Sequence, residues 1–137
     1  MICSFLLTIS SAAKMKKILV IEDEQGTLFS ILKILKLNGF DAIGAEDGYS
    51  GIRLTKEIMP DLILCNPKIR GINGYGVLGH LRADPITMMI PFIFITAQTT
   101  PIEVTQTQQM VADSYLTKPF SDIELLQAIN KFLDPGQ

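Results

Sequence analysis

Short apolar runs rich in β-branched residues alternate along this chain with segments whose apolar residues recur every three to four positions, and few folds accommodate that alternation. The runs at 16–21, 41–45, 62–65, 91–95 and 113–117 read as strands. Between them, 25–38 carries Leu28, Ile31, Leu32 and Leu35 on one helical face, and 48–58 carries Gly51, Leu54, Thr55 and Ile58. Segment 73–81 is helical through Val77, Leu78 and Leu81 but weakened by Gly76 and Gly79, each costing roughly 1 kcal/mol against Ala. Segment 101–110 starts on Pro and has almost no apolar stripe among its Thr and Gln residues, so its helix is expected to be marginal. The last helix, 121–133, opens with Ser121 as N-cap and Glu124 at the capping-box position, and Ile123, Leu126, Ile129 and Leu133 are expected to face the core. Strands separated by helices need crossover connections, which makes the sheet parallel and covers both faces. In such open sheets the functional site lies beyond the carboxyl ends of the strands.

Composition narrows the class. The chain has 137 residues, 47% apolar and 19% charged, which suits one buried core, leaves no room for a second domain and is unlike disorder. Twelve basic residues stand against 14 acidic ones, a net charge of -2, so there is no bulk positive field to hold nucleic acid or an anionic membrane. Two cysteines, Cys3 and Cys65, build neither a disulfide framework nor a Cys-rich metal site, and a cytoplasmic setting is expected. Residues 1–14 differ from the rest. Their apolar run at 2–9, followed by small residues, has some likeness to a signal peptide, yet no positive charge precedes it and it is too short to span a membrane. The simpler reading is extra sequence ahead of a natural start at Met15, with the domain at 15–134.

The residues just after the strands carry the chemistry: Glu22, Asp23 and Glu24 after the first, Asn66 after the third, Thr96 after the fourth and Lys118 after the fifth. Two carboxylates with an amide carbonyl suit a hard cation such as Mg²⁺. A hydroxyl and an ammonium suit an anionic group beside that cation. Together they read as a phosphoryl site with a metal. No Gly-rich phosphate loop competes, and the single histidine, His80, is expected on the surface of the third helix. Cys65 is expected to be a buried strand residue, and Met88 and Met89 to fill gaps ahead of the fourth strand.

Four motifs in order, Ile-Leu-Val-Ile-Glu-Asp-Glu at 18–24, Pro-Asp-Leu-Ile-Leu at 60–64, Ile-Thr-Ala at 95–97 and Tyr-Leu-Thr-Lys-Pro-Phe at 115–120, resemble the receiver domains of two-component response regulators. The bacterial chemotaxis regulator is the minimal form of that family. The resemblance runs over residues 15–133 and implies a flavodoxin-like, doubly wound (βα)5 fold with strand order 2-1-3-4-5. By it, Glu22 and Asp23 look like the acidic pair that binds Mg²⁺, with Asn66 and the backbone carbonyl of Lys68 completing the metal set. Thr96 looks like the hydroxyl that senses the phosphoryl group, Lys118 like the lysine that pairs with it, and Tyr115 like the aromatic switch. The Lys118-Pro119 bond resembles the family's cis proline. The implied partner is a sensor histidine kinase or a downstream signalling protein, meeting the face made by the segments at 101–110, 113–117 and 121–133, with no nucleic acid and no membrane involved.

The pattern breaks at the phosphoacceptor position, where the family has aspartate and this chain has Asn66. An amide oxygen is a poor nucleophile, whereas a carboxylate forms an acyl phosphate directly. Deamidation is disfavoured because Pro67 lacks the backbone N–H that would attack the Asn66 side chain. Natural loss of the acceptor, an engineered change and a dispensable phosphorylation all fit Asn66. Pro67, Arg70 and Val111 also depart from the family pattern, which favours natural loss and a degenerate, pseudo-receiver domain. A signalling module working by protein contact, and not an enzyme, is therefore expected. The alternative is an Mg²⁺-dependent phosphoryl-transfer enzyme or hydrolase on the same fold, which would need a nucleophile that the strand ends do not supply. A flavin-binding protein would need Gly, Ser and Thr where the first strand is followed by acids.

Overall fold

A computed structural model describes residues 15–97 and 112–133, and in them the strands and helices alternate as β1 (Lys17–Ile21), α1 (Gln25–Leu37), β2 (Asp41–Ala45), α2 (Gly48–Ile58), β3 (Leu62–Cys65), α3 (Gly74–Ala83), β4 (Phe92–Thr96), β5 (Ser114–Thr117) and α4 (Asp122–Leu133). The expectations for residues 1–14 and for the helix at 101–110 lie outside the described residues. All pairings are parallel and the strand order is β2-β1-β3-β4-β5, the flavodoxin-like arrangement expected.

Alternate side chains of the central strands feed two separate cores, as the two-residue period of a strand requires. Leu19, Ile21, Ile63, Cys65, Phe92 and Phe94 meet Ile52 of α2 and Val77, Leu78 and Leu81 of α3 on one face. Ile18, Val20, Leu62, Leu64, Ile93 and Ile95 meet α1 and α4 on the other. Because both faces are covered, β1, β3 and β4 are nearly continuous apolar runs. β5 lies at the sheet edge and alternates between half-buried and exposed positions.

Two sequence expectations fail, the first only in part. Ile129 of α4 is buried and Leu133 packs against the same core, as expected, but the other fully buried residue is Leu125, with Ala128 and Phe132 beside it, while Ile123 is 66% exposed. Docking against β3 and β5 turns the buried face toward Leu125 and away from Ile123. Met88 and Met89 are exposed and fill no gap. Thr87 and Ile90 turn inward instead, and the Arg82 guanidinium donates to the carbonyls of Met88 and Ile90 at 2.8 and 2.9 Å, fixing the loop with both methionines outward. Three other expectations hold: His80 is exposed, Cys65 is fully buried, and Ser121 and Glu124 exchange the two hydrogen bonds of a capping box.

The loop from Pro67 to Asn73 is pinned by close backbone approaches. A Cβ on Gly74 would stand 2.6 Å from Pro67 Cα and 2.8 Å from the Asn66 carbonyl oxygen, and one on Gly48 would collide with the Ile72 carbonyl. Gly74 N–H donates to the Pro67 carbonyl at 2.9 Å and Gly48 N–H to the Arg70 carbonyl at 3.0 Å. Glycine at these two positions lets α3 and α2 clamp the loop that follows β3.

Candidate functional site

Parallel pairing of β1 with β3 sets Ile21 beside Cys65, so the next residues, Glu22 and Asn66, leave the sheet as neighbours. Their backbones are tied in: Glu22 N–H donates to the Ala45 carbonyl at 2.9 Å and Asn66 N–H to the Ile21 carbonyl at 3.0 Å. Only 2% of Glu22 is exposed. A carboxylate that deep needs donors, because burying an unpaired charge is among the costliest events in folding. It has three. The Asn66 side-chain nitrogen forks onto Oε1 and Oε2 at 3.1 and 3.2 Å, Glu24 N–H donates to Oε2 at 3.1 Å, and Lys118 Nζ stands 3.5 Å from Oε1.

Asn66 Oδ1 faces the other way and accepts from Lys68 N–H at 2.9 Å. A backbone N–H can only donate, so this contact requires the oxygen at that position and leaves the NH₂ for Glu22. Asp23 is more open, with the exposed Arg70 Nε 4.0 Å from its Oδ2, an ion pair of little energetic weight.

Thr96 ends β4 and is buried; its carbonyl accepts from Lys118 N–H at 2.8 Å. That bond follows from the pairing of Thr96 with Thr117 and delivers the Lys118 ammonium to Glu22. The Lys118-Pro119 bond is cis. Asn66, Pro67, Lys68, Thr96 and Ala97 line a small cavity of about 150 Å³. Tyr115 lies one strand residue inward from Leu116, is 42% exposed, and stacks on Phe94 with ring centroids 6.1 Å apart. Glu22, Asn66, Lys68, Thr96 and Lys118 are thus gathered at one corner, Asp23 borders it, and Tyr115 stands apart on the edge strand.

Two residues gain roles that sequence reasoning did not assign. Glu24 belongs to the acidic run, yet its carboxylate caps α1, accepting from Gly26 N–H at 3.0 Å and Thr27 N–H at 2.7 Å. The Thr27 hydroxyl, then the two backbone N–H groups, hold its carboxyl below the ordinary range. The sequence signal was faint, since Glu is not a favoured N-cap residue and only its place directly ahead of the helix marked it. Arg70 was visible only as a departure from a pattern; its place beside Asp23 depends on the clamped loop and has no local sequence signature.

The corner as it stands does not suit Mg²⁺, which takes convergent oxygen ligands. Both Glu22 oxygens already accept hydrogen bonds, Asn66 presents nitrogen to them, and among the described residues no group of three or more His, Cys, Asp or Glu side chains is arranged to hold a metal. An ion would have to displace the amide. Among the described residues no helix is long and apolar enough to cross a membrane.

Comparison with known proteins agrees with the fold. The phosphate regulon transcriptional regulatory protein PhoB of Escherichia coli is 35% identical over 114 residues, covering 83% of this chain and 50% of PhoB, so the chain spans about half the length of that relative. Protein PilH of Pseudomonas aeruginosa is 29% identical over 119 residues and is matched over 98% of its length, with 87% of this chain covered. Among solved structures, the receiver domain of sensor histidine kinase PA1611 from Pseudomonas aeruginosa PAO1, which has a magnesium ion coordinated in its active-site cleft, superimposes with a TM-score of 0.83 at 24% identity, over 88% of this chain and 98% of that one. Residues 18–130 match the response regulator receiver domain, and the chain belongs to that family.

Proposed function

We propose that this receiver domain signals in a two-component pathway by protein contact and is closed to aspartyl phosphorylation, a degenerate receiver and not an enzyme. The observation that carries the reading is Asn66 at the end of β3, where an acceptor would need a carboxylate oxygen beside Thr96 and Lys118. The amide oxygen is a weak nucleophile and is already held by Lys68 N–H. In this reading Thr96 and Lys118 are the remains of a phosphoryl site, and Glu22, Asp23, Asn66 and the Lys68 carbonyl are the remains of an Mg²⁺ site, weakened because charge dominates recognition of hard cations and an ion would first have to displace the Asn66 amide. The domain comprises 15–134 and works in the cytoplasm without nucleic acid or membrane. Its partner, a sensor histidine kinase or downstream signalling protein, meets β5 and α4. Exposed Tyr115 of β5 and Ile123 of α4 supply apolar area for such a contact.

The test is incubation with Mg²⁺ and acetyl phosphate, followed by intact mass and peptide mapping. The expected mass is unchanged. A stable phosphoryl group on Asn66 would overturn the reading, and gain of that group by Asn66→Asp would show that Thr96 and Lys118 still stand where the chemistry needs them.

A further inference from the structure

The Asn66 amide occupies the position from which a cation would meet Glu22, and this has a consequence for stability that goes beyond the loss of phosphorylation and does not depend on it. We propose that the amide substitutes for a bound divalent cation, so that this acidic corner is folded and held in place without metal. Orientation comes first. With Oδ1 fixed on Lys68 N–H at 2.9 Å, Nδ2 faces the Glu22 carboxylate and shares a hydrogen between its two oxygens, at 3.1 and 3.2 Å. A neutral group therefore supplies a donor that a buried carboxylate requires.

Charge balance comes second. The two strand-end acids are each paired, Glu22 with Lys118 at 3.5 Å and Asp23 with Arg70 at 4.0 Å. A carboxylate at position 66 would add a further negative charge and place an oxygen where Nδ2 now lies, against Glu22. That arrangement repels unless a cation stands between the two. The dependence on metal is thus set by one residue: Asn66 removes it and an aspartate would restore it.

Thermal melting of the intact chain with Mg²⁺ or with EDTA, in phosphate-donor-free buffer, tests this separately from any phosphorylation. For the parent protein the two melting temperatures should coincide. For Asn66→Asp the protein should melt lower in EDTA, and Mg²⁺ should raise its melting temperature by about 4 °C or more, as a ligand of the native state does. A comparable Mg²⁺ shift in the parent, or none in Asn66→Asp, would overturn the proposal. Should Asn66→Asp fail to fold in both buffers, NMR of the parent's Asn66 side-chain NH₂ decides: slow exchange and no response to Mg²⁺ support it, and displacement of those resonances by Mg²⁺ overturns it.

Discussion

Replacing Gly74 with Ala sets helix propensity against a collision at the candidate site. Alanine is favoured over glycine in a helix by up to about 1 kcal/mol. At Gly74, however, the added Cβ would lie 2.6 Å from Pro67 Cα, 2.8 Å from the Asn66 carbonyl oxygen and 2.9 Å from a ring carbon of Phe94. Two of those atoms are main chain and the third belongs to a buried ring, so no rotamer change relieves them. Overpacking of this kind costs about 1–3 kcal/mol. The collision outweighs the propensity gain, and a net loss of about 1–2 kcal/mol is expected from the shift of the urea midpoint at unchanged slope. Because the displaced atoms belong to the loop bearing Asn66, the Lys68 amide resonance should move as well. Gly76→Ala is the contrast, since the atom its Cβ crowds is a side-chain methyl of the partly buried Ile72 and no main chain stands in the way. It should stay within about 1 kcal/mol of the parent. Equal or greater stability in Gly74→Ala, or equal losses in both variants, would refute the reasoning.

Two further outcomes are expected. Asp47→Ala removes the N-cap of α2, whose carboxylate accepts from Ser50 N–H at 2.8 Å, and should cost about 1 kcal/mol. The Ser50 backbone N–H holds the Asp47 carboxyl below its ordinary range, so its contribution is present above the unfolded value near ~3.9 and disappears as pH falls through the lower folded value; the gap between parent and variant in acid titrations should close below about pH 4. Cys65 is fully buried, and desolvation, helped by the Glu22 charge, pushes its thiol well up. A thiol reagent should leave the peptide containing Cys65 unmodified in native buffer and label it in denaturant, and rapid native labelling would contradict the packing.

The architecture was legible because it rests on periodicity, which is local. The five apolar runs became the five strands in the expected order, and the gathering of Glu22, Asn66, Thr96 and Lys118 followed from each standing at or just past a strand end. What escaped notice depends on contacts distant in sequence or on a choice between equal local options. The face of α4 was legible only in part: Ile129 and Leu133 pack as their spacing implied, whereas the choice of Leu125 over Ile123 in the first turn is made by the sheet. Met88 and Met89 look like core residues until Arg82 fixes the carbonyls of the loop that carries them. The orientation of the Asn66 amide was invisible for the same reason, as Glu22 lies 44 residues away in sequence. Tyr115 was found in its strand, but its exposure depends on β5 being an edge.

All four residues of β3 are fully buried, and Asn66 follows directly on them. Positions that determine folding and positions that determine chemistry are therefore consecutive but separate, with Thr96, buried at the end of β4, as the exception. A lineage can thus change what this corner does by altering a residue that contributes no apolar area to either core, leaving the selection for foldability on the strand untouched. Domains of this plan are accordingly well placed to lose one signalling chemistry and keep their surface for another use.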